Sequence, residues 1–357
     1  MTTPTPVSHR FDLAPFTTLR LGGPARRLVM ASTAQSCVDA VRAADTAGEP
    51  LLLLAGGSNL VIGDNGFDGT VVRMASTGLR IDGAGVLHVA AGENWDAVVA
   101  HTVAAGYGGL ECLSGIPGSV GATPVQNVGA YGVELSDLLR DVDLYDRRRG
   151  VVRTVPVSGL GLGYRTSVLK GTDAAVVLEI RLALRGDGLS APIRYPELAR
   201  TLDVEPGTRV PAALARAAVL DLRRGKGMVL DPTDHDTWSV GSFFTNPMLD
   251  AARAAVVLER IRARVGPEVV VPQYPGDGPG WTKLSAAWLI ERAGFARGHP
   301  AQGGRVALSG KHTLALTNRG GARTADLLAL ARQIRDAVTA CFGVTLNPEP
   351  VLVNCTL

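Results

Sequence analysis

The chain has 357 residues, of which 46% are hydrophobic and 19% charged, and its formal net charge is +3. This length allows two or three domains, and this composition favours a large buried core over a disordered chain. The mild charge and the lack of a dense basic run argue against a nucleic-acid partner. No apolar run reaches the roughly 18 residues of a membrane span, and the Pro/Thr-rich segment over 1–16 lacks the apolar core of a signal peptide.

The cysteines and histidines show no pattern of a metal or redox site. The four cysteines are scattered along the chain, at Cys37, Cys112, Cys341 and Cys355. No pair has the spacing of a redox or zinc motif, so we expect reduced thiols in a cytoplasmic protein. The acidic run "DPTDHD" over 231–236 lacks the glycine and the glutamate of a calcium loop, and we interpret it as a solvated turn. We therefore expect no metal.

The first predicted elements form a β-α-β unit. A strand over 25–31 is followed by a helix over 32–48 with a Ser/Thr start and a glycine stop, and then by a buried strand over 50–56. Short β-branched runs recur up to residue 184, interrupted by a helix from Asn94 to Gly106, and "YDRRRGVV" reads as a hairpin turn. This part of the chain has more strand than a fold of alternating strands and helices, which indicates an α+β class.

The second half reads as more helical. Helices are predicted within 208–227, directly after Asn246-Pro247, within 283–294, and from a Thr324 cap to Gly343. A final strand over 349–355 is expected to return to the first half of the chain. No internal repeat or low-complexity tract is present.

The stretch "AGGSNL" after the buried strand is a candidate phosphate-binding loop. Glycines let a phosphate approach the backbone, and successive N–H groups can converge on it. The stretch has neither the GxxxxGK[ST] nor the GxGxxG pattern, and its lack of a lysine suits a pyrophosphate that is kept rather than transferred. A plain turn between two strands remains the alternative.

A second and denser glycine stretch, "LSGIPGSVGATPVQNVGAYG", covers 113–132. It is a poor helix or strand and too apolar to be disordered, which favours a functional loop. Two such loops could hold one elongated ligand, such as a dinucleotide with a large planar ring.

Four further positions are candidates, each with an ordinary structural alternative. Arg165 follows Tyr164, and in an extended segment the two would point to opposite faces; alone they are a common surface pair. Lys226 lies between two glycines after a helix end, where cations are favoured in any case. Ser242 precedes two phenylalanines and could be a proton donor or a backbone-capping hydroxyl. Glu349 lies between two prolines, which would aim its carboxylate or simply form an exposed turn.

Taken in order, these motifs resemble the UDP-N-acetylenolpyruvoylglucosamine reductase family. The resemblance runs from about Phe16 to the C-terminus and rests on "TTLRLGGPA", "LAGGSNLVIGD", the 113–132 stretch, "GYRTSVLK", "GSFFTNP", "AAWLIERAG" and "NPEPV". In addition, "PIRYPELARTL" is similar to a tyrosine-bearing insertion of one subtype, which folds over the substrate. The family consists of flavoenzymes that complete UDP-N-acetylmuramate for peptidoglycan.

The resemblance implies an FAD-binding fold of the vanillyl-alcohol oxidase and p-cresol methylhydroxylase type, with a separate α/β substrate-binding domain. It implies FAD-binding parts over 1–75, joined by the C-terminal strand 345–357, and over 76–207, followed by a substrate domain over 208–344. The residues that match cofactor-binding positions are Gly56, Gly57, Ser58, Asn59, Leu60, Gly115, Ile116, Pro117, Gly118, Gly121, Ala122, Gln126, Asn127, Gly129, Ala130 and Tyr131.

The resemblance also implies the reaction. NADPH would reduce the bound FAD, and the enolpyruvyl ether of a UDP-sugar would then take a hydride on its terminal carbon. Arg165 and Glu349 match the residues that stabilise the resulting enolate, and Ser242 matches the proton donor. The residues that match substrate-binding positions are Tyr164, Tyr195, Lys226 and Asn246.

Two positions depart from the family pattern. Arg292 follows Glu291 where a glutamine is frequent, and Val351 stands where some members carry an arginine, so details of nucleotide and carboxylate binding stay open. The alternatives are an FAD oxidase or dehydrogenase of the same fold and a non-catalytic UDP-sugar-binding protein. A small UDP-sugar is expected as the ligand of a monomer, with no nucleic-acid or membrane partner.

Overall fold

The computed structural model describes residues 11–276 and 278–357. Residues 1–10, which belong to the segment expected not to be a signal peptide, lie outside the described residues. The described chain divides into two units. Unit 1 contains residues 11–12, Pro24–Gly57 and Phe67–Val229, and unit 2 contains Leu13–Gly23, Ser58–Gly66 and Leu230–Leu357.

Strands and helices alternate irregularly along the chain. Within the described residues the strands are β1 Phe11–Asp12, β2 Pro24–Ala31, β3 Leu51–Leu54, β4 Leu60–Ile62, β5 Phe67–Met74, β6 Leu79–Ile81, β7 Val86–Ala90, β8 Gly129–Ala130, β9 Val133–Glu134, β10 Leu139–Asp146, β11 Val151–Pro156, β12 Ala175–Ala183, β13 Met248–Asp250, β14 Gln273–Pro275, β15 Trp281–Leu284, β16 Val306–Leu308, β17 Leu316–Asn318 and β18 Val351–Val353. The α-helices are α1 Ala34–Ala47, α2 Trp95–Ala104, α3 Pro196–Leu202, α4 Ala212–Gly225, α5 Ala251–Val265, α6 Ala286–Arg292 and α7 Thr324–Phe342. This mixture confirms the predicted α+β class.

Unit 1 contains two larger sheets and the short antiparallel pair β8-β9. The first has the order β1-β2-β5-β3, and β2, β5 and β3 run parallel, so the predicted β-α-β unit exists with β5 lying between its two strands. The helix of that unit, α1, begins with a reciprocal capping box of Thr33 and Ser36 and ends at Gly48 in the left-handed conformation. The second sheet has the order β11-β10-β12-β7-β6 with every pair antiparallel, and the predicted hairpin joins β10 to β11.

Unit 2 is built on smaller sheets and three of the helices. β13, β15 and β14 form one antiparallel sheet, β16 pairs with β17, and β18 runs parallel to β4. The predicted return of the C-terminal strand to the first half of the sequence is therefore confirmed, since β4 covers Leu60–Ile62. Each unit has its own hydrophobic core, and the long helix α7 supplies the core of unit 2 with a row that includes Leu327, Ile334 and Phe342.

Three predicted helix starts are wrong. The helix expected directly after Asn246-Pro247 begins at Ala251, because Met248–Asp250 pair with Trp281–Lys283 as a strand and the Asp250 carboxylate caps the Arg253 N–H at 2.8 Å. The helix predicted from Lys283 begins at Ala286, after strand β15.

The N-cap of α7 is Arg323 rather than Thr324. The Thr324 hydroxyl instead donates to the Ile62 carbonyl at 2.7 Å, and its backbone N–H donates to the Asp64 carboxylate at 2.8 Å. A long-range carboxylate therefore replaces the local cap that the sequence suggested.

The acidic run over 231–236 is held by ion pairs within unit 2, which corrects its interpretation as a solvated turn. Asp234 lies 2.5 Å from Lys311 Nζ, and Asp236 lies 2.7 Å from Arg319 Nη1. Hydrogen bonding to Lys311 lowers the pKa of Asp234 below its usual range. Across residues 11–276 and 278–357, no helix combines the length and the apolar composition needed to cross a bilayer.

The core of unit 2 gives a first prediction. Ile334 is fully buried in α7, so Ile334→Ala should lower the free energy of unfolding by about 2–5 kcal/mol. The matched control is the neighbouring exposed Gln333, whose change to Ala should stay within about 0.5 kcal/mol. Urea unfolding at equilibrium measures both, and equal effects of the two substitutions would contradict this core assignment.

Candidate functional site

The first glycine loop connects strand β3 to strand β4. Gly57 has φ = +61°, which glycine adopts without strain. A Cβ added to Gly56 would lie 2.5 Å from Gly118 Cα and 2.9 Å from Gly118 C, so the two backbones are in contact. The first glycine stretch thus contacts the second one inside unit 1. Gly56 and Gly57 both require glycine.

The second glycine stretch is clamped by the segment that leads into helix α2. The Trp95 N–H donates to the Gly118 carbonyl at 3.1 Å, and the Trp95 indole Nε1 donates to the Leu113 carbonyl at 3.0 Å. The Val120 and Gly121 N–H groups donate to the carbonyls of residues 93 and 91, at 2.9 and 2.8 Å. These four bonds fix a stretch that has little regular structure of its own.

A partly buried ion pair completes this clamp. The Asp96 carboxylate accepts two hydrogen bonds from Arg216, at 2.6 and 3.0 Å, and a third from the Gly115 N–H at 2.6 Å. Burial alone would raise the pKa of Asp96, but the hydrogen bonds from Arg216 and from Gly115 outweigh it, and the pKa lies below its usual range. Helix α4, which carries Arg216, is thereby tied to the glycine stretch.

Arg223, two turns further along α4, has a buried donor with no acceptor among the described residues. Its Nη2 donates to the Met228 carbonyl at 2.8 Å, whereas its Nε has no hydrogen-bond partner there. That Nε lies 3.3 Å from where a Cβ on Gly115 would stand. Burial lowers the pKa of Arg223 from its usual value. Because a buried donor without a partner is costly, the donor fits the polar group of a bound ligand at Gly115.

The later part of the stretch meets the turn that carries Tyr164 and Arg165. That turn is tight and Arg165 has φ = +53°, so the segment is not extended as the sequence allowed. Arg165 Nη2 donates to the Gly129 carbonyl at 2.7 Å. Asn127 is 1% exposed, and its amide bonds Glu134 Oε2 at 2.7 Å and the Gly163 carbonyl at 3.2 Å. Asn127 therefore holds the stretch and the turn together.

A second cluster in unit 1 surrounds Lys226. Lys226 Nζ lies 2.5 Å from Glu197 Oε2 and 5.8 Å from the centre of the Tyr131 ring. The Tyr131 ring in turn contacts the Tyr195 ring edge to face, with centroids 5.3 Å apart. Burial raises the pKa of Tyr131 to about 12, which keeps its hydroxyl protonated.

In unit 2 the chain segments that carry Ser242 and Glu349 lie side by side. The Glu349 N–H donates to the carbonyl of Phe243, the residue after Ser242, at 2.9 Å. Phe243 and Phe244 are buried in the core, which fixes the backbone beside Ser242. The Asn246 side chain accepts the Ala286 N–H at 2.9 Å and so connects to helix α6.

The predicted residues thus fall into two groups. Those in unit 1 are Gly56, Gly57, Gly115, Ile116, Pro117, Gly118, Gly121, Ala122, Gln126, Asn127, Gly129, Ala130, Tyr131, Tyr164, Arg165, Tyr195 and Lys226. Those in unit 2 are Ser58, Asn59, Leu60, Ser242, Asn246 and Glu349.

The pair Asp96–Arg216 was not predicted. Its only sequence signal was an acidic residue in the first turn of a helix, which indicates a cap rather than an ion pair with a residue 120 positions away. Among the described residues, no group of three His, Cys, Asp or Glu side chains could hold a metal ion.

The Asp96 carboxylate gives a second prediction, with a pH dependence. Asp96→Asn should lower the free energy of unfolding at pH 7 by about 1–3 kcal/mol, because it weakens a charged hydrogen-bond network. A lowered folded-state pKa contributes stability that is present above the unfolded pKa of about 3.9 and is lost as pH falls through the folded value. The difference in the free energy of unfolding between wild type and Asp96→Asn should therefore narrow below about pH 4.

Urea unfolding of both proteins between pH 7 and pH 3 tests this. Asp221→Asn is the control, since that carboxylate is exposed on helix α4 and pairs with Arg224 three residues on. A gap for Asp96→Asn that is constant with pH would contradict the pKa argument.

Comparison with known proteins places the chain in a family. A model described as "FAD binding domain" matches residues 25–156, and a model described as "UDP-N-acetylenolpyruvoylglucosamine reductase, C-terminal domain" matches residues 231–353. These matches confirm the predicted order of an FAD-binding part followed by a separate C-terminal domain.

Full-length relatives agree. Proteins named UDP-N-acetylenolpyruvoylglucosamine reductase from Saccharopolyspora erythraea and Nocardia farcinica are 67% and 60% identical, covering 97% and 98% of this chain and 95% and 91% of their own. The crystal structure of UDP-N-acetylenolpyruvylglucosamine reductase from Thermus caldophilus has a TM-score of 0.66 and 25% identity, and covers 97% of this chain and 98% of its own. The chain belongs to the UDP-N-acetylenolpyruvoylglucosamine reductase family.

Proposed function

We propose that this protein reduces UDP-N-acetylglucosamine enolpyruvate to UDP-N-acetylmuramate, a step of peptidoglycan precursor synthesis, with FAD as bound cofactor and NADPH as reductant. The observation that carries the proposal is the 67% identity, over 97% of the chain, to a protein named for this reaction. The residue types at the candidate site support it.

FAD would supply the hydride for this chemistry, and the two glycine stretches would hold it. The residues proposed to contact it are those matched in the sequence, from Gly56 to Leu60 and from Gly115 to Tyr131. Two observations suit a ligand with phosphate and carbonyl groups: the backbone contact between Gly56 and Gly118, and the Arg223 Nε beside Gly115, which has no hydrogen-bond partner within residues 11–276 and 278–357.

Three side chains are proposed to act on the substrate. Hydride addition to the terminal carbon drives negative charge into the carboxylate, and the Arg165 guanidinium would pair with that charge. Glu349 would hydrogen-bond the same group. Ser242 would give its hydroxyl proton to the other carbon of the former double bond. The transfer is reasonable because the enolate is a strong base.

Four more residues are proposed to bind the UDP-sugar: Tyr164, Tyr195, Lys226 and Asn246. Lys226 offers the ammonium group that a diphosphate needs, and Tyr195 lies half-exposed at the start of α3. We also propose a cytoplasmic monomer. The four thiols are unpaired, and burial raises the pKa of Cys37 to about 11, as expected for unreactive reduced cysteines.

Flavin spectroscopy tests the proposal. The purified protein should be yellow, lose its flavin absorbance on anaerobic addition of NADPH, and regain it when UDP-N-acetylglucosamine enolpyruvate is added. A colourless protein that cannot be reconstituted with FAD would contradict the proposal. Oxygen consumption with no UDP-sugar requirement would favour an oxidase instead.

Ser242→Ala separates the two half-reactions. NADPH should still bleach the flavin, but the substrate-dependent return should slow by about 100-fold or more, as for loss of a general acid. The control is Ser239→Ala, three residues before Ser242, which removes a hydroxyl that accepts the Gly241 N–H. It should leave the rates of both steps within a few-fold of wild type. If Ser242→Ala abolishes bleaching equally, its proposed role is wrong.

A further inference from the structure

The ammonium group proposed to bind the substrate diphosphate already has an anionic partner. Lys226 Nζ and Glu197 Oε2 are 2.5 Å apart, and both side chains are about one-third exposed, at 34% and 33%. Glu197 is the second residue of helix α3, directly after Tyr195 and Pro196, within the insertion that carries the substrate tyrosine. The carboxylate therefore reaches Lys226 from the same segment as a proposed substrate ligand.

We propose that Glu197 is an internal competitor for the anion site at Lys226, and that it thereby weakens the binding of every anion at this lysine. The inference rests on the proposed role of Lys226 in the function above. Every anion that uses Lys226 must first separate the pair. The cost is the same for each anion, so a diphosphate with several charged oxygens still binds, whereas a chloride or a single phosphate, which binds weakly from the start, leaves the lysine paired with Glu197.

The surroundings of Glu197 keep the free-energy cost of its displacement from Lys226 low. The side chain is one-third exposed, so water can solvate the carboxylate once Lys226 has left it. It also lies in the first turn of α3, where the helix dipole favours a negative charge. Lys226 meanwhile keeps its contact with the face of Tyr131 at 5.8 Å, which holds the ammonium near its place when the pair opens.

Calorimetric titration of UDP into the FAD-loaded protein tests the inference. Glu197→Gln keeps the size of the side chain and removes its charge, so the Kd for UDP should fall by about two- to fivefold, the range of a partly exposed ion pair. Inhibition by inorganic phosphate should strengthen, and the gain should shrink at high salt. Glu205→Gln, which neutralises an exposed carboxylate shortly after the same helix, should leave the Kd unchanged.

A double-mutant cycle distinguishes competition from a structural role. Lys226→Ala should weaken UDP binding, and Glu197→Gln added to Lys226→Ala should then bring no gain, because no competition remains. Glu197→Asp, with a shorter reach, should shift the Kd in the same direction as Glu197→Gln but less. Melting temperature and flavin absorbance report whether each variant is folded and loaded.

The outcomes distinguish the proposed role of Lys226 in binding from the inference about Glu197. If Lys226→Ala leaves UDP binding unchanged, the proposed role of Lys226 fails and the inference with it. If Lys226→Ala weakens binding but Glu197→Gln weakens it too, or strengthens it equally with and without Lys226, Glu197 is not a competitor and the inference alone is overturned.

Discussion

The backbone contact between Gly56 and Gly118 is the constraint on which the candidate site depends. With a Cβ on Gly56 only 2.5 Å from Gly118 Cα, no other residue fits there unless the two stretches separate. A close approach of two irregular loops is stable only if each is held from behind. The clamp from residues 91–96 and the Asp96–Arg216 pair hold the second stretch, and parallel strand pairing of β3 holds the start of the first.

Helix α4 connects the glycine stretch over 113–132 to the cluster around Lys226 in unit 1. Through Arg216 and Arg223 it reaches Gly115, on the stretch proposed to hold the cofactor. Directly after its last turn comes Lys226, with Glu197 as its partner. The predicted division into 1–75 with 345–357, 76–207 and 208–344 stays a prediction. The two units differ from it by keeping 208–229 with unit 1 and by assigning 13–23, 58–66 and 345–357 to unit 2.

Local signals in the sequence predicted what depends on neighbours along the chain. Helix α1 followed from its cap and its glycine stop, and the hairpin of β10 and β11 from its turn. What depends on distant partners could not be predicted. Strand β13 forms because it pairs with β15 some thirty residues on, and Asp250 then caps α5. The antiparallel approach of Glu349 to Phe243 likewise joins residues that no local pattern relates.

The most direct measurement is a crystal structure of the protein with FAD bound. The account predicts pyrophosphate oxygens within about 3.2 Å of backbone nitrogens in Gly56–Asn59, with the isoalloxazine ring against the 113–132 stretch. A flavin bound elsewhere, with Gly56 and Gly118 away from its pyrophosphate, would contradict this account of the two loops even if the reaction is as proposed.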